Sequence, residues 1–517
     1  PIVQFRTLRG DGAAALEMFL DRGLIPGTGR DKFLVEYLRQ VQTDRRARVV
    51  QRVGWHGEGD TAVYVLPEKT YGAAPGEVWL FEPEGPRLNP FKTRGTLADW
   101  RVEVAQLCSG NSRLLFACSV AFAAPLVHLT GAENGGVNLI GSSGIGKTTV
   151  LRVGASVCGA PDYLERLRAT DNGLEQTFMG KCDAPAFLDE MGQLGPQVAG
   201  EAVYMAANGQ AKARATRTGG MRERGSWRTL FLLSAEVSLA GHMAEAGKVP
   251  KAGQQTRLAD VSVDAGAGLG AFENLHLYAS GHEFAQALAR ACSSQYGTAY
   301  AGFVSRLMHE RGPRLLDHLR EQIRRFERKH LSDAAEGQAR RVAARFGLIG
   351  AAGELARVWL ELPWQEGEAM QAAGSLFAVW LTTRGGEGNQ EERAMLAQVR
   401  DFLTRHGEAR FTDWDRPASD TDARGPRVIN RAGFRRITYE TSAKPPEDQQ
   451  TEFMIFPSVW TSEVCKGFDP GIVARLLAKR GALKVSEDGR PARSLTLPGE
   501  GKRRVYNILP TVWAGEQ

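Results

Sequence analysis

The chain has 517 residues, 43% of them hydrophobic and 24% charged, which is an ordinary composition for a soluble globular protein. This length exceeds what one hydrophobic core can organise, so we expect about three or four domains. The six cysteines form no C-x-x-C pair, which argues against a zinc site or a disulfide framework and favours reduced thiols in the cytoplasm. The formal net charge of +6 is small, so the positions of the basic residues are more informative than their number.

The first part of the chain, residues 1–95, mixes helical and alternating patterns and predicts a small α+β module. Asp31–Val41 has the pattern of a helix, whereas Arg48–Trp55 and Ala62–Pro67 alternate as strands do. This module shows no catalytic constellation.

The longest apolar run, Leu114–Thr130, follows. It contains Pro125 and His128 and is rich in alanine, so it falls short of a membrane span. We expect a buried helix there and no association with a membrane.

A glycine-rich turn then lies between an apolar run and a helix-compatible run. The apolar run ends at Ile140 and predicts a buried strand, the turn ends in Lys147-Thr148, and Val150–Val157 can continue as a helix. A phosphate-binding loop requires this context: main-chain N–H groups converge on the phosphates, Lys147 reaches the β- and γ-phosphates, and the Thr148 hydroxyl binds Mg²⁺. The predicted ATP-binding residues are Gly141, Ser142, Ser143, Gly144, Ile145, Gly146, Lys147, Thr148 and Thr149.

Hydrolysis needs a second, acidic element, and an apolar run that ends in two carboxylates supplies it. Ala184–Leu188 leads directly into Asp189 and Glu190. We predict that Asp189 binds Mg²⁺ beside Thr148, and that Glu190 polarises the attacking water as general base. The alternative is an Asp-Glu pair that simply marks a strand end in solvent.

Residues 209–228 carry six basic side chains and one acidic side chain, which leaves +5 over 20 residues. Alternation on both sides of Thr218–Gly220 predicts a β-hairpin, and a cationic hairpin suits a phosphate backbone. A solvated loop that contacts nothing is the alternative. The candidate nucleic-acid contacts are Lys212, Arg214, Arg217, Arg222 and Arg224.

Two further strands, Thr229–Ser234 and Leu258–Val263, complete a predicted nucleotide domain that spans residues 96–300. Ser234 ends the first strand, where its hydroxyl can sense the γ-phosphate. Arg257 immediately precedes the second strand and is placed to reach the nucleotide of a neighbouring subunit. A surface ion pair between Arg257 and Asp260 is an equally good interpretation.

Residues 301–410 have the pattern of a helical region that contains a glycine-rich linker at Thr382–Asn389. Ser332 is a candidate N-cap. The predicted helices are Pro313–Lys329, Ser332–Gly347, Glu354–Leu362 and Glu391–His406.

Residues 411–517 predict a separate module. A helix begins at Asp469, and strands follow at Leu483–Val485 and Val505–Leu509, separated by a basic loop. Helix, strand, loop and strand in this order are typical of a winged-helix-like unit. Nine basic residues against four acidic ones lie between Asp469 and Arg504, so contact with DNA and contact with protein both remain open.

Nine blocks of the sequence carry a family resemblance. They are Gly54-Trp55, Gly95–Arg101, Gly110-Asn111, Gly141–Thr149, Ala169–Glu175, Leu188–Glu190, Tyr204–Arg214, Leu233–Glu236 and Ala252–Leu258. Together they resemble the domain of unknown function 927 family, found in primase–helicase proteins of phages, plasmids and other mobile elements. The likeness runs from near residue 45 to the C terminus, and its motifs are specific in combination.

The resemblance implies an AAA+-like replicative helicase module, similar in layout to superfamily-three helicases, that assembles as a ring. By this likeness Lys147 and Thr148 correspond to the Walker A pair, and Asp189 and Glu190 to Walker B. A primase domain or primase protein is a candidate partner.

The same likeness implies three further roles. Ser234 corresponds to the sensor at a strand end, where superfamily-three helicases usually have asparagine. Arg257 corresponds to the arginine finger, and Lys212–Arg224 to the DNA-contacting hairpin.

We therefore predict an α/β protein in which a P-loop AAA+-like domain is joined to an N-terminal α+β module, a helical region and a C-terminal winged-helix-like module. The predicted enzyme is an ATPase that uses ATP and Mg²⁺ to move on single-stranded or forked DNA as a homo-oligomeric ring, a hexamer being the first choice. The alternative is an ATP-switched DNA-binding or origin-loading module that does not unwind DNA. The direction of movement, the choice between a DNA and an RNA track and the ring size are left open.

Overall fold

In the computed structural model, the N-terminal part of the chain forms two helices and two small sheets. The elements are α1 (Ala13–Leu20), α2 (Asp31–Gln40), β1 (Ala47–Val50), β2 (Gly54–His56), β3 (Val63–Val65), β4 (Thr70–Tyr71) and β5 (Val78–Phe81). β1 pairs with β5 in parallel, and β2, β3 and β4 form an antiparallel sheet. The structure describes residues 8, 12–21, 23, 24, 27, 29–41, 47–83, 89–167, 171–212, 224–248, 252–415, 428, 430–439 and 449–514.

The prediction of one strand over Arg48–Trp55 is wrong, because the segment contributes two strands to two different sheets. The chain bends at residues 51–53, directly before Gly54, the first residue of β2, whose φ of 93° favours glycine. A Cβ at this position would lie 2.4 Å from Oδ2 of Asp183. The bend sends the Trp55 ring into the core, where its Nε1 donates to the carbonyl oxygen of Pro125 at 2.8 Å.

Five parallel strands form the central sheet. They are β6 (Gly135–Ile140), β7 (Glu165–Arg166), β8 (Ala186–Asp189), β9 (Leu230–Ala235) and β10 (Leu258–Ser262), and their order across the sheet is β10-β6-β9-β8-β7. Because all neighbours run parallel, the carboxyl ends of the strands share one edge of the sheet. The strands predicted before the glycine-rich turn, before Asp189 and before Ser234 are confirmed.

Ten helices among the described residues surround or precede this sheet. They are α3 (Leu97–Trp100), α4 (Gln106–Cys108), α5 (Ser112–Ala123), α6 (Leu126–Thr130), α7 (Lys147–Cys158), α8 (Asp171–Met179), α9 (Ala199–Asn208), α10 (Leu239–Ala244), α11 (Ala252–Arg257) and α12 (Gly281–Ser294). The apolar run predicted as one buried helix is buried as far as Val127, but it divides into α5 and α6 at Pro125, which cannot donate a helical hydrogen bond. No helix in the described part of the chain is both long and apolar enough to cross a membrane.

A helical region follows, and it corrects two predictions. Its members are α13 (Thr298–Glu310), α14 (Pro313–His330), α15 (Gly337–Trp359), α16 (Glu368–Thr383) and α17 (Gln390–His406). α14 and α17 confirm their predictions. Ser332 does not cap a helix, because α15 begins only at Gly337, and the two helices predicted on either side of residue 350 are one continuous helix.

The glycines of α15 explain the second error. The sequence predicts a helix end at Gly347, but this glycine and the two that follow are points of close approach between helices. A Cβ at Gly353 would lie 2.3 Å from Oγ of Ser119 in α5, and one at Gly350 would lie 2.8 Å from Sδ of Met370 in α16. The sequence analysis does not predict α16, because its alanine-rich sequence shows no strong apolar face. In the structure, seven of its sixteen residues are buried.

The C-terminal part forms a mixed sheet with a hairpin. Its elements are β11 (Phe411–Asp413), β12 (Gly433–Tyr439), β13 (Gln449–Ile455), α18 (Pro457–Val459), α19 (Pro470–Lys479), β14 (Leu483–Lys484), β15 (Arg493–Leu497) and β16 (Gly501–Ile508). Asp469 caps α19 as predicted, since its Oδ1 accepts a hydrogen bond from the Ile472 main-chain N at 2.8 Å. The basic loop predicted between the last two strands contains a further strand, β15, paired antiparallel with β16.

Three hydrophobic cores organise these elements. The first runs from Val53 to Trp380 and includes the central sheet, helices α13 to α16 and the strands β2 to β5. The second joins α17, α19 and C-terminal strands between Met395 and Val512. A small third core lies on the C-terminal strands and consists of Phe434, Met454, Leu497 and Val505. All six cysteines are buried as free thiols. The structure thus confirms an α/β protein with a parallel sheet and many helices.

Candidate active site

The loop between β6 and α7 carries the predicted phosphate-binding residues. Gly144 and Gly146 have left-handed backbone angles, with φ of 79° and 107°. A Cβ at Gly146 would also lie 3.0 Å from the Cβ of Ala271. The loop leads directly into α7, which begins at Lys147, so free N–H groups of the first helical turn face the loop. This geometry suits a bound phosphate group.

The ammonium group of Lys147 lies against the same loop. Its Nζ donates to the carbonyl oxygen of Gly141 at 2.5 Å and to that of Ser142 at 2.7 Å. These carbonyl oxygens hold the ammonium group beside the phosphate-binding loop. When a nucleotide binds, the ammonium group can donate to phosphate oxygens instead. The exposed side chain of Thr148 follows on the first turn of α7.

Ser234 connects the ends of two neighbouring strands. Its Oγ donates to Oδ1 of Asp189 at the end of β8, and it accepts a hydrogen bond from the main-chain N of Glu190 at 3.0 Å. Asp189 is 8% exposed, so this charge-assisted bond is shielded from water. The hydroxyl proton of Ser234 is therefore directed at Asp189, and its predicted contact with the γ-phosphate stays a prediction.

Glu190 has an unusual backbone conformation for a residue with a side chain. Its φ and ψ are 63° and 66°, in the left-handed region. Such conformations occur where the surrounding structure imposes them, often at functional sites. Here the hydrogen bond from its main-chain N to Ser234 holds the turn, and Nε2 of Gln193 donates to its exposed carboxylate.

These side chains line one cleft of about 1020 Å³ at the carboxyl edge of the sheet. Open parallel sheets commonly bind ligands at this edge. The cleft brings together Ser142–Thr149, Asp189, Glu190 and Ser234, which lie far apart in the sequence.

The oxygen donors of the cleft fit Mg²⁺. Within the described ranges, no group of three or more His, Cys, Asp or Glu side chains is arranged to hold a metal ion. Mg²⁺ does not need such a cage, since it commonly keeps several waters and binds through one or two protein oxygens together with substrate phosphates. The Asp189 carboxylate and the Thr148 hydroxyl supply two hard oxygen donors of this kind.

A buried carboxyl group anchors the helix beside the cleft. Asp260 in β10 accepts hydrogen bonds from Nδ2 of Asn138 at 2.7 Å and from the main-chain N of Leu239 at 3.3 Å. Burial raises the pKa of Asp260 to about 6. Because Leu239 begins α10, these bonds hold the start of this helix, and His242 and Glu245 further along line the cleft. They also give Asp260 a role other than the surface ion pair with Arg257.

Arg257 lies away from the cleft of its own chain. It is the last residue of α11, at the amino end of β10, whereas the cleft lies at the carboxyl end, about 16 Å along the strand. Its Nη1 donates to the carbonyl oxygen of Gly253 at 2.8 Å, and its guanidinium carbon lies 4.4 Å from the ring centroid of Tyr204. The structure therefore does not bring Arg257 together with the other predicted catalytic residues of the same chain.

The two arms of the predicted basic hairpin begin as an antiparallel pair. Gln210 pairs with Ser226, and the main-chain N of Ala211 donates to the carbonyl oxygen of Gly225 at 2.9 Å. Lys212 and Arg224, at the ends of the described arms, are both exposed. The predicted contacts Arg214, Arg217 and Arg222 lie outside the described residues.

Arg228, the last basic residue of this segment, has a different environment. Its guanidinium donates to Oδ1 of Asp183 at 2.6 Å and to Oδ2 at 2.8 Å. Asp183 is fully buried, and its Oδ2 also accepts a hydrogen bond from the main-chain N of Trp55 at 2.9 Å. The outgoing arm of the hairpin is thus tied to the N-terminal strands through one carboxylate.

Sequence reasoning missed one part of the cleft. The segment Asp264–Phe272, which follows β10, returns to the phosphate-binding loop, and the main-chain N of Ala271 donates to the carbonyl oxygen of Ile145 at 2.9 Å. The glycines at 266, 268 and 270 all have positive φ. Their alternate spacing after the last core strand was the available signal, because such a pattern indicates a tightly turned main chain.

We predict that Ser234→Ala lowers the affinity for Mg²⁺ during ATP turnover. Loss of the hydroxyl frees the Asp189 carboxylate to rotate, and loss of a group that orients a metal ligand commonly costs 10- to 100-fold in affinity or activity. The Mg²⁺ concentration for half-maximal ATPase activity should rise by about tenfold or more.

Ser234→Thr keeps the hydroxyl and should restore most of the Mg²⁺ affinity. Ser238→Ala is the matched control, because Ser238 caps α10 near the same cleft but makes no described contact with Asp189. An unchanged Mg²⁺ requirement in Ser234→Ala would contradict the orienting role.

The fold and the cleft together define an α/β protein with a ligand cleft at the carboxyl edge of a parallel sheet. Residues 2–226 match the family model described as "Domain of unknown function (DUF927)". This confirms the family resemblance for that part of the chain. The match begins closer to the N terminus than the motifs indicated, and it ends in the outgoing arm of the basic segment.

Among solved structures, one titled "SCCmec type IV Cch - active helicase" is similar to the chain with a TM-score of 0.72. The two share 16% sequence identity, and the similarity covers 98% of this chain and 88% of that chain. At this identity the similarity shows a shared fold. Among curated proteins, no sequence match to the chain was found.

Proposed function

We propose that the protein is an ATP-dependent DNA helicase or translocase with a P-loop AAA+-like nucleotide domain. The observation that carries the proposal is the meeting of Lys147, Thr148, Asp189 and Glu190 in one cleft at the carboxyl edge of the sheet. A cation, a hydroxyl, a metal-binding carboxylate and a second carboxylate are the groups that phosphoryl transfer to water requires. The shared fold with a structure titled as an active helicase supports the coupling to DNA.

In the proposed reaction the loop and Lys147 bind the ATP phosphates, and the first turn of α7 adds its dipole. Mg²⁺, when bound at Thr148 and Asp189, neutralises phosphate charge. Ser234 keeps the Asp189 carboxylate in one orientation. Glu190 accepts the proton of the attacking water while the water oxygen bonds to the γ-phosphorus and the bond from the γ-phosphorus to the bridging oxygen breaks, which releases ADP. The hydrogen bond from the Glu190 main-chain N to Ser234 sets the position of Glu190.

Arg257 completes the proposed site from a neighbouring subunit. Its distance from the cleft of its own chain excludes an action in cis, whereas its place at the surface, against the 45% exposed Tyr204, permits contact with another copy. In a closed homo-oligomeric ring, one surface of each subunit contacts a different surface of the next subunit, and every interface repeats the same contact. We therefore propose a ring, with a hexamer as the first choice, in which each interface holds one ATP.

The basic hairpin is the proposed DNA grip. Phosphate contacts by Lys212, Arg214, Arg217, Arg222 and Arg224 would supply affinity without sequence preference. Arg228 is not available for such contacts, since Asp183 neutralises it. Its ion pair instead gives the hairpin a rigid attachment to the core.

The C-terminal module is proposed to be a winged-helix-like DNA contact. Lys502 lies opposite Thr496 and Arg504 lies opposite Ser494 in the β15–β16 hairpin, so these four exposed polar side chains share one face. Lysine, arginine and hydroxyl side chains are common phosphate-contacting groups. Arg503 points to the other face and pairs with Glu500 at 3.8 Å.

Removal of charge from the hairpin tests this function. In K212A/R214A/R217A, we expect the slope of log affinity against log salt for single-stranded DNA to flatten by about two units per subunit if all three side chains contact phosphates. Stimulation of ATPase activity by DNA and strand displacement on a forked duplex should both be lost. Basal ATPase activity should persist, because none of the three is among the predicted nucleotide-binding or catalytic residues.

R314A/R325A/K329A is the matched control, since it removes the same charge from exposed positions of α14. It should retain DNA stimulation and strand displacement. If the wild-type protein hydrolyses ATP and binds DNA but displaces no strand, the alternative of an ATP-switched binding or loading module is the better account. If the hairpin variant keeps the salt slope and the stimulation of the wild type, the hairpin does not contact DNA.

A further inference from the structure

The cleft has two chemically different sides. One side, next to β8 and β9, carries the four carboxylates of Asp189, Glu190, Glu236 and Glu245, together with the apolar side chains of Met191 and Val237. The other side, which we call the apolar side, consists of Ile145, Leu269, Phe272 and Ala285 together with the ring of His282. The phosphate-binding loop lies between them.

The apolar side is rigidly joined to the phosphate-binding loop. Ala271 donates its main-chain N–H to the carbonyl oxygen of Ile145 at 2.9 Å, and a Cβ at Gly270 would lie 2.6 Å from that same oxygen. Gly270 has a φ of 65°, so the close approach and the turn both call for glycine. The distance between the loop and this side of the cleft is thereby fixed.

The apolar side of the cleft packs against the core through Phe272 and is open to solvent at Leu269. Phe272 is 3% exposed and packs edge to face on Phe284, with 5.0 Å between ring centroids. Leu269 is 37% exposed, and a Cβ at the neighbouring Gly268 would meet no atom within 4 Å. An aliphatic side chain that projects into a polar cleft, with open main chain beside it, leaves room for a flat apolar group.

His282 adds an aromatic surface to this region. It is exposed on the first turn of α12, and its Nε2 lies 2.9 Å from Nε2 of Gln286, one turn further along the helix. Gln286 therefore restrains the ring. Ala285, on the same face of α12, has a side chain small enough to leave the space in front of the ring free.

We propose that this apolar side binds the purine base of the nucleoside triphosphate whose phosphates occupy the loop. A purine has apolar faces that stack on aliphatic and aromatic side chains, and the carboxylates of the other side offer these faces no such surface. The base therefore lies toward Leu269 and His282, and the γ-phosphate lies toward Asp189 and Glu190. The inference rests on the proposed function and adds the direction in which the nucleotide lies.

The test compares ATP with inorganic tripolyphosphate, which has the phosphates but no base. In L269A/H282A, the dissociation constant of ATP with Mg²⁺ should rise by about tenfold, as expected when stacking contacts are lost. The dissociation constant of tripolyphosphate in the same variant should stay within about twofold of the wild-type value. The ratio of the two constants within each variant is the decisive quantity, because partial unfolding lowers both affinities together.

L277A/H318A is the matched control. It removes the same two side-chain types at exposed positions, a fully exposed leucine of the segment before α12 and an exposed histidine of α14. Its preference for ATP over tripolyphosphate should equal that of the wild type.

The outcomes separate the two proposals. A wild-type preference for ATP that L269A/H282A retains would overturn the base site and leave the proposed function intact. A wild-type protein that binds neither ATP nor tripolyphosphate would overturn the proposed function, and the base site with it. Selective loss of the preference in L269A/H282A, alongside loss of both ligands in Lys147→Ala, supports both.

Discussion

ATP hydrolysis by Lys147→Ala should be at least about a hundredfold slower than in the wild-type protein, the cost expected when a donor that stabilises transition-state charge is removed. The ammonium group is the cation that the structure holds at the mouth of the loop, through the carbonyl oxygens of Gly141 and Ser142. ATP binding should weaken as well, because the β- and γ-phosphates lose this charge. Steady-state ATPase measurements and titration with a fluorescent ATP analogue check the two effects.

Lys248→Ala is the matched control for this variant. Lys248 also donates from Nζ to a main-chain carbonyl, that of Gln197 at 2.6 Å, and it lies just beyond α10, but it does not line the cleft. It should hydrolyse ATP at the wild-type rate. Unchanged turnover in Lys147→Ala, in a protein with the wild-type unfolding temperature, would refute the assignment of the phosphate-binding loop.

Several predictions that depended only on neighbouring residues succeeded, although the predicted cap at Ser332 did not. The strand, loop and helix around Gly141–Thr149 occupy one continuous segment, so the spacing of glycine, lysine and apolar residues was enough to place them. The strand before Asp189 and the cap at Asp469 are local in the same sense. Errors arose where a glycine had a distant partner, as Gly54 has in Asp183 and Gly353 has in Ser119.

The arrangement of the site shows the same limit. The residue types at Asp189 and Ser234 indicated a metal ligand and a strand-end hydroxyl, but their hydrogen bond depends on β9 lying between β6 and β8. No local sequence pattern indicates the order of the strands across the sheet. The return of Asp264–Phe272 onto the phosphate-binding loop is likewise a contact between distant segments, although its glycine spacing was visible.

The position of Arg257 in the structure leads to a second prediction with a large expected effect on ATPase activity. The carbonyl oxygen of Thr256 accepts a hydrogen bond from Nη1 of the buried Arg345 at 3.1 Å, so the end of α11 is held from within the helical region. Arg257 itself projects beside Tyr204 at the surface. Because Arg257 is partly exposed there and lies far from the cleft of its own chain, we predict that it acts on the nucleotide of a neighbouring subunit.

We expect Arg257→Ala to bind ATP normally and to lose ATPase activity by about a thousandfold or more, within the range found for arginines that act across an interface. Arg341→Ala is the control, since Arg341 is an exposed arginine of α15 that pairs with Glu133 at the same end of the sheet. It should retain wild-type activity.

Mixed assemblies test whether the site is shared. Arg257→Ala subunits keep an intact phosphate-binding loop, and Lys147→Ala subunits keep an intact arginine, so some interfaces of a mixture contain both groups. Activity should therefore recover when the two inactive variants are combined, and it should be greatest near equal proportions. Arg257→Ala combined with R257A/K147A offers no complete interface and should stay inactive. A mixture of the two single variants that co-assembles but recovers no activity would show that Arg257 does not act on the nucleotide of its neighbour.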